Sequence, residues 1–129
     1  MIQIQTLLKV ADNSGGRIVR CLKILKKGHK ARYAKIGDTL VVAVQQIRSK
    51  NKLTSKVKKG DVLLAVLVKT RFSIFQKYGN SFCFSQNSVV LLDKEKNGKP
   101  LATRVIGLIP RQLRNSKYSK VVSLSAGVI

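Results

Sequence analysis

The feature that most restricts the fold is a strand start that occurs twice. Lys35-Ile36-Gly37-Asp38 runs into Thr39-Leu40-Val41-Val42-Ala43-Val44, and Lys59-Gly60-Asp61 runs into Val62-Leu63-Leu64-Ala65-Val66-Leu67-Val68. Glycine supplies the unusual dihedrals of a tight turn and aspartate caps its amides, so each Gly-Asp pair closes a turn and launches a strand. Both runs are apolar on alternate faces. That pattern suits a closed or nearly closed β-barrel that buries one face while other parts of the chain cover some of the second. The longest apolar stretch, near Val62 to Val68, falls short of the ~18 residues of a membrane span. A soluble protein with no membrane partner is expected.

The remaining segments read as further short strands. Residues 1–10 mix Ile and Leu with Gln and Lys, and Asp12-Asn13-Ser14-Gly15-Gly16 places five turn-forming residues in a row, which predicts strand, turn, strand. Ile18 to Leu25 is β-branched and apolar with basic residues interposed, a half-exposed strand. Phe72, Ile74 and Phe75, then Phe82 and Phe84, flank Gln76 to Ser81 as a hairpin, and Val89 to Leu92 continues the sheet. Asp93 to Pro100, containing Asn97-Gly98, is a polar turn predicted to close against Thr103 to Gly107. Pro110 suits the first turn of a short helix carrying Arg111 to Arg114, and Asn115 or Ser116 is placed to stop it and cap a second. A chain of 129 residues supports one hydrophobic core. The expectation is therefore one mostly-β domain, a small barrel over roughly residues 1–107 with a helical appendage over roughly 108–129.

Charge defines the partner. Lys and Arg number 26 against 5 Asp and Glu, a net charge of +21, while 44% of residues are hydrophobic, so the chain is no disordered basic tail. Self-repulsion at this density opposes compaction, and a polyanion relieves it through phosphate contacts and released counterions. The cations fall in blocks. Lys23, Lys26, Lys27, Lys30, Arg32 and Lys35 surround Tyr33; Arg48, Lys50, Lys52, Lys56, Lys58 and Lys59 fill the link between the two apolar runs; Arg111, Arg114, Lys117 and Lys120 recur every three residues. A merely solvated face would intersperse acids, and these segments have none. The Arg48 to Gly60 link, with few core residues, is predicted to protrude as a ribbon or loop. Aromatic residues make up 5% and Trp is absent, so base-stacking platforms are poorly supplied and recognition of folded RNA by backbone and shape is expected. No zinc finger, basic zipper or recognition helix points to sequence-specific DNA reading.

Groups for chemistry are scarce: one His and five acids. All five acids, Asp12, Asp38, Asp61, Asp93 and Glu95, flank turns, where carboxylates bond nearby amides instead of forming an acid and base pair. His29 stands in a lysine-rich loop without a second His, a Cys or a carboxylate at ligand spacing, which favours a solvent-exposed or phosphate-facing place over a metal. Ser14-Gly15-Gly16 is too short for a phosphate-binding loop. Cys21 and Cys83 lie far apart on apolar segments and are expected to be buried, reduced thiols. No catalytic residue, cofactor or metal is predicted, and Met1 leads directly into the Ile2, Ile4 pattern without a secretory or import leader. Residue chemistry alone leaves two rivals to a structural RNA-binding protein. One is a free nucleic-acid-binding barrel of the transcription elongation or cold-shock-like kind, and the other is a small nuclease using His29 with a carboxylate.

Several strings in register carry a resemblance. Met1-Ile2-Gln3 through Val10-Ala11-Asp12-Asn13-Ser14-Gly15-Gly16, Arg32-Tyr33-Ala34 with Ile36-Gly37-Asp38, and Val57-Lys58-Lys59-Gly60-Asp61-Val62 with Ala65-Val66-Leu67-Val68-Lys69-Thr70 are followed by Thr103-Arg104-Val105-Ile106-Gly107, Arg111-Gln112-Leu113-Arg114 and Lys120-Val121-Val122-Ser123-Leu124. Over essentially its whole length the chain resembles large-subunit ribosomal protein 14 of the bacterial and organellar type. Phe84, Asn87 and Val90-Leu91 match the middle signature, whereas Tyr78 stands where Asp, Asn or Ser is usual, and the loop after Ile24 and the stretch Asn51 to Ser55 are more basic and looser than in the bacterial form. Those departures suggest an organelle-encoded, mitochondrial copy, with plastid or bacterial cytoplasm as alternatives. The resemblance implies a five-stranded β-barrel with a protruding β-ribbon and a short helical C-terminal region, acting as a structural constituent of the large ribosomal subunit. It implies binding to large-subunit rRNA near the subunit interface and an intersubunit bridge to small-subunit rRNA. The neighbours it implies are large-subunit ribosomal proteins three and nineteen, not a stand-alone homo-oligomer. Its RNA contacts carry over to Asn13, Ser14, Arg17, Arg32, Tyr33, Lys58, Lys59, Arg104, Arg111 and Arg114; Lys30, Arg48, Lys50 and Lys56 of the basic blocks join them as candidates.

Overall fold

The computed structural model describes residues 2–25, 32–49, 55–76, 78–93, 98–115 and 117–129, with Asn115 described by its backbone. Among the described residues there are nine strands: β1 (Leu7–Val10), β2 (Gly16–Leu25), β3 (Thr39–Ile47), β4 (Val62–Lys69), β5 (Ile74–Phe75), β6 (Ser81–Phe82), β7 (Ser88–Leu92), β8 (Val105–Ile109) and β9 (Ser125–Val128). A 3₁₀ helix (Arg111–Asn115) and α1 (Ser119–Ser123) lie between β8 and β9. Five strands close a barrel in the order β1-β2-β3-β4-β7, with β1 parallel to β7 and every other pair antiparallel. The expected five-stranded barrel is therefore present.

The two Gly-Asp starts do the same job in the same way. Gly37 and Gly60 take φ of +88° and +93°, a region that costs residues with a Cβ far more than glycine. The Asp38 and Asp61 carboxylates accept the amides of Lys35 and Lys58, three residues back. Each start is then tied to the other's strand. The Gly37 amide donates to the Leu67 carbonyl at 2.9 Å, and that of Gly60 to the Val44 carbonyl at 2.8 Å. The turns thus set the register of the β3–β4 hairpin, in which Thr39 faces Val66 and Ala43 faces Val62.

Alternation on these strands builds two cores instead of one. Leu8, Val19, Cys21, Leu40, Val42, Ala65, Leu67, Val89 and Leu91 point into the barrel, with Ile2, Ala34 and Val57 packed against them. The opposite faces of β4 and β7 present Val66, Val68, Val90 and Leu92 outward, where Val105, Ile109, Leu113, Tyr118 and Val121 cover them. With one face in the barrel and the other under this layer, β7 is buried at all five positions, and each buried Val or Leu contributes on the order of 1.5–3 kcal/mol by leaving water. On β2 the alternation is interrupted. Cys21 faces Val42 and Lys23 faces Val41, so Leu22 is an extra residue that sends Leu22 and Lys23 both outward before Ile24 turns back inside.

Four sequence expectations need correction. The described part of the Arg48 to Gly60 link forms no strand, and Val57 within it is buried in the barrel core; residues 50–54, on which the expected protrusion falls, lie outside the described residues. The small two-stranded ribbon is instead β5–β6, the hairpin expected from the Phe-rich segment. After Leu92 the chain does turn back, with Leu92 bridged to Pro100 and the Leu101 amide on the Leu91 carbonyl. Yet β8 pairs in parallel with β9 rather than closing that turn. The first short helix after Pro110 is 3₁₀, and α1 starts at Tyr118 without a side-chain cap, since Tyr118 is buried with its hydroxyl on that of Thr39.

Cys83 is the fourth correction: it is exposed on the ribbon, while Cys21 is buried, and both are free thiols. Burial pushes the Cys21 thiol up from its ordinary value, which suppresses the reactive thiolate. A thiol-specific aromatic disulfide reagent at neutral pH should therefore titrate one thiol rapidly in the folded protein and the second only after denaturation; two fast thiols would contradict the packing.

Candidate nucleic-acid interface

The turn between β1 and β2 is organised by a carboxylate with no solvent exposure, that of Asp12. One oxygen accepts the Ser14 amide at 2.9 Å and the Ser14 hydroxyl; the other accepts the Leu91 amide at 2.9 Å. Three donors on one ionised group are the kind of charge-assisted contacts that make burial of a carboxylate tolerable. Ala11 donates to Val89 and accepts from Ile106, so the same turn is attached to β7 on one side and β8 on the other.

The next residue fixes the backbone that carries a cation. The Asn13 carboxamide oxygen accepts the amides of Thr103 and Arg104, both at 3.1 Å, and its nitrogen donates to the Thr103 hydroxyl at 2.9 Å. Two further basic residues are tied to the carbonyls of this turn. The Lys56 amide donates to Ser14 and that of Arg48 to Gly15, while the Arg48 guanidinium reaches the Val10 carbonyl and the Lys56 ammonium the Leu101 carbonyl. A Cβ on Gly15 would lie 2.5 Å from that of Ser55, so the approach of this segment depends on glycine. Arg17 leaves the turn exposed on β2. Five predicted residues scattered over the sequence, Asn13, Ser14, Arg48, Lys56 and Arg104, thus belong to one hydrogen-bonded assembly.

Other candidates lie elsewhere. Lys58 and Lys59 are exposed on the turn that starts β4. Arg32 and Tyr33 are exposed beside Ala34, which pairs with Ile2. Ala34 and Lys35 share a groove of about 320 Å³ with Phe72, Phe75 and Gln112, which brings this segment next to the 3₁₀ helix. On that helix Arg111 and Arg114 are both exposed, and at three residues per turn they project from one side. Lys30 and Lys50 lie outside the described residues.

The family model described as Ribosomal protein L14p/L23e matches residues 1–129. The chain belongs to that family. As an L14p/L23e protein it is a structural constituent of the ribosome in a non-enzyme family that binds rRNA, which removes the free barrel and the nuclease as readings. Among the described residues no group of His, Cys, Asp and Glu could hold a metal ion, and no helix is long and apolar enough to cross a membrane.

Two features of this L14p/L23e chain escape a reading of composition. Lys69 is half-buried, donates to the Ile106 carbonyl at 2.9 Å and lies 5.9 Å from the Phe84 ring centre, and burial holds its ammonium below the usual lysine value. The aromatic residues, sparse on average, are concentrated: all four Phe and one of three Tyr fall between residues 72 and 84.

Because Asp12 satisfies buried amides and Asn13 satisfies more exposed ones, their truncations should differ. Asp12→Ala should destabilise the fold by about 2–4 kcal/mol and Asn13→Ala by about 1 kcal/mol, measured by chemical denaturation. Equal losses would contradict the role assigned to the buried carboxylate.

Proposed function

We propose that this L14p/L23e protein grips folded large-subunit rRNA through cations held at fixed positions on the barrel. The observation that carries the reading is the Asp12-Asn13-Ser14-Gly15 turn, which collects Arg48, Lys56 and Arg104 from distant parts of a chain of net charge +21. Charge alone would bind RNA anywhere; charge at fixed spacing selects a phosphate arrangement. In this reading Arg17, Arg32, Tyr33, Arg48, Lys56, Lys58, Lys59, Arg104, Arg111 and Arg114 contact phosphates and sugars, joined by Lys30 and Lys50. Asn13 and Ser14, whose side chains are engaged inside the protein, position that set.

The same reading places the protein near the subunit interface of a mitochondrial ribosome, bridging to small-subunit rRNA beside large-subunit ribosomal proteins three and nineteen. The barrel and the C-terminal segment act as one domain, a view supported by the second core that they share.

Affinity for large-subunit rRNA should fall steeply with salt. A plot of log affinity against log salt should have a slope of several units, because each neutralised phosphate contributes roughly 0.7–0.9. Replacing Lys56, Lys58 and Lys59 together by Gln should reduce that slope by about two units while leaving the fold intact, as their side chains are exposed. A parent slope near zero, or unfolding of the triple variant, would refute the mechanism.

A further inference from the structure

The β5–β6 ribbon carries more exposed aromatic surface than its own fold uses. Phe75 is 73% exposed, Tyr78 92% and Phe72 55%, while Phe82 and Phe84 meet edge to face with ring centres 5.7 Å apart. Exposed aromatic surface gathered in so short a segment is costly in water and marks a contact site. What lies opposite indicates the occupant. Phe75, Tyr78 and Phe82 line a cavity of about 570 Å³ together with Gln76, Arg111, Gln112, Arg114 and Ile129. The volume lies within the ~300–1,000 Å³ of typical ligand clefts.

From this arrangement we infer a binding site for an unstacked nucleotide of single-stranded RNA. The aromatic faces supply stacking for a base, which every base accepts irrespective of sequence. Gln76 and Gln112 offer donors and acceptors for base edges. Arg111 and Arg114, exposed on one side of the 3₁₀ helix, supply the charge for the flanking phosphates. Among the described residues no acidic side chain lines the cavity, so it is complementary to an anion as well as to a ring. An apolar protein segment would use the aromatic faces but would leave two arginines without counter-charge, and the RNA occupant accounts for both. The inference rests on the rRNA-binding reading and adds to it a base-dependent contact, distinct from the phosphate contacts of the Asp12 turn.

The test uses the full chain with two probes, a short single-stranded oligouridylate and an abasic oligomer of the same length and charge. The parent protein should bind the oligouridylate more tightly than the abasic oligomer. Phe75→Ala and Tyr78→Ala should each weaken binding to the oligouridylate about ten-fold and leave the abasic oligomer unaffected. Arg111→Gln with Arg114→Gln should weaken both. Both aromatic side chains are exposed, so thermal unfolding of these variants should match the parent. Equal affinity of the parent for the two probes would overturn the inference and leave the ribbon as a protein-docking surface, with salt-dependent rRNA binding untouched. Failure to bind either probe would likewise overturn the inference, whereas absence of salt-dependent binding to folded large-subunit rRNA in a parallel titration would instead count against the rRNA-binding reading itself.

Discussion

The buried Asp12 carboxylate is the interaction on which the rest of the molecule depends. A lone charge in a protein interior is expensive, and it persists here because Ser14 and Leu91 surround it with donors. Those donors lie on different elements, so satisfying the charge also fixes geometry. The β1–β2 turn is joined to β7 through Leu91, and through Ala11 and Ile106 to β8. One acid therefore ties the β1–β2 turn to β7 inside the barrel, and its neighbour Ala11 ties the same turn to β8 of the layer that covers it.

The two cores explain how so basic a chain folds. β4 and β7 are apolar on both faces because one lines the barrel interior and the other lies beneath β8, the 3₁₀ helix and α1. Repulsion among the cations is offset by this two-sided burial, which leaves the exposed positions of β2 and the turns free to carry Lys and Arg. Buried apolar side chains and exposed cations are thus largely separate sets, while Arg48 and Lys56 also fasten the fold through the Val10 and Leu101 carbonyls.

Much of the barrel was legible because its signals are local. Gly37-Asp38 and Gly60-Asp61 specify their turns within four residues, and the double-sided apolarity of β4 foretold a covering layer. The failures share a cause, which is that the deciding contact lies far away in the sequence. Val57 sits among six cations that made its segment read as poor in core residues, yet that side chain is buried in the barrel core. Ser125 to Val128 has weak strand propensity and becomes β9 through parallel pairing with β8. The Asn13 contact with Thr103 spans 90 residues, so a turn residue expected to touch RNA was visible while its positioning role was not. Cys83 shares its apolar neighbourhood with Phe82 and Phe84 but stands on a ribbon away from the core. The aromatic cavity was hidden by averaging, since 5% aromatic content says nothing of where the rings fall.

The central claim is that cations held at fixed positions, rather than net charge, give this protein its hold on RNA. Asn13→Ala separates the two, because it removes no charge but takes away the oxygen that accepts the Thr103 and Arg104 amides. The decisive measurement is the affinity of that variant for large-subunit rRNA across a salt series, compared with the parent. Fixed placement predicts weaker binding and a shallower salt slope at unchanged net charge. Superimposable curves would contradict it and leave unorganised charge as the sole basis of binding.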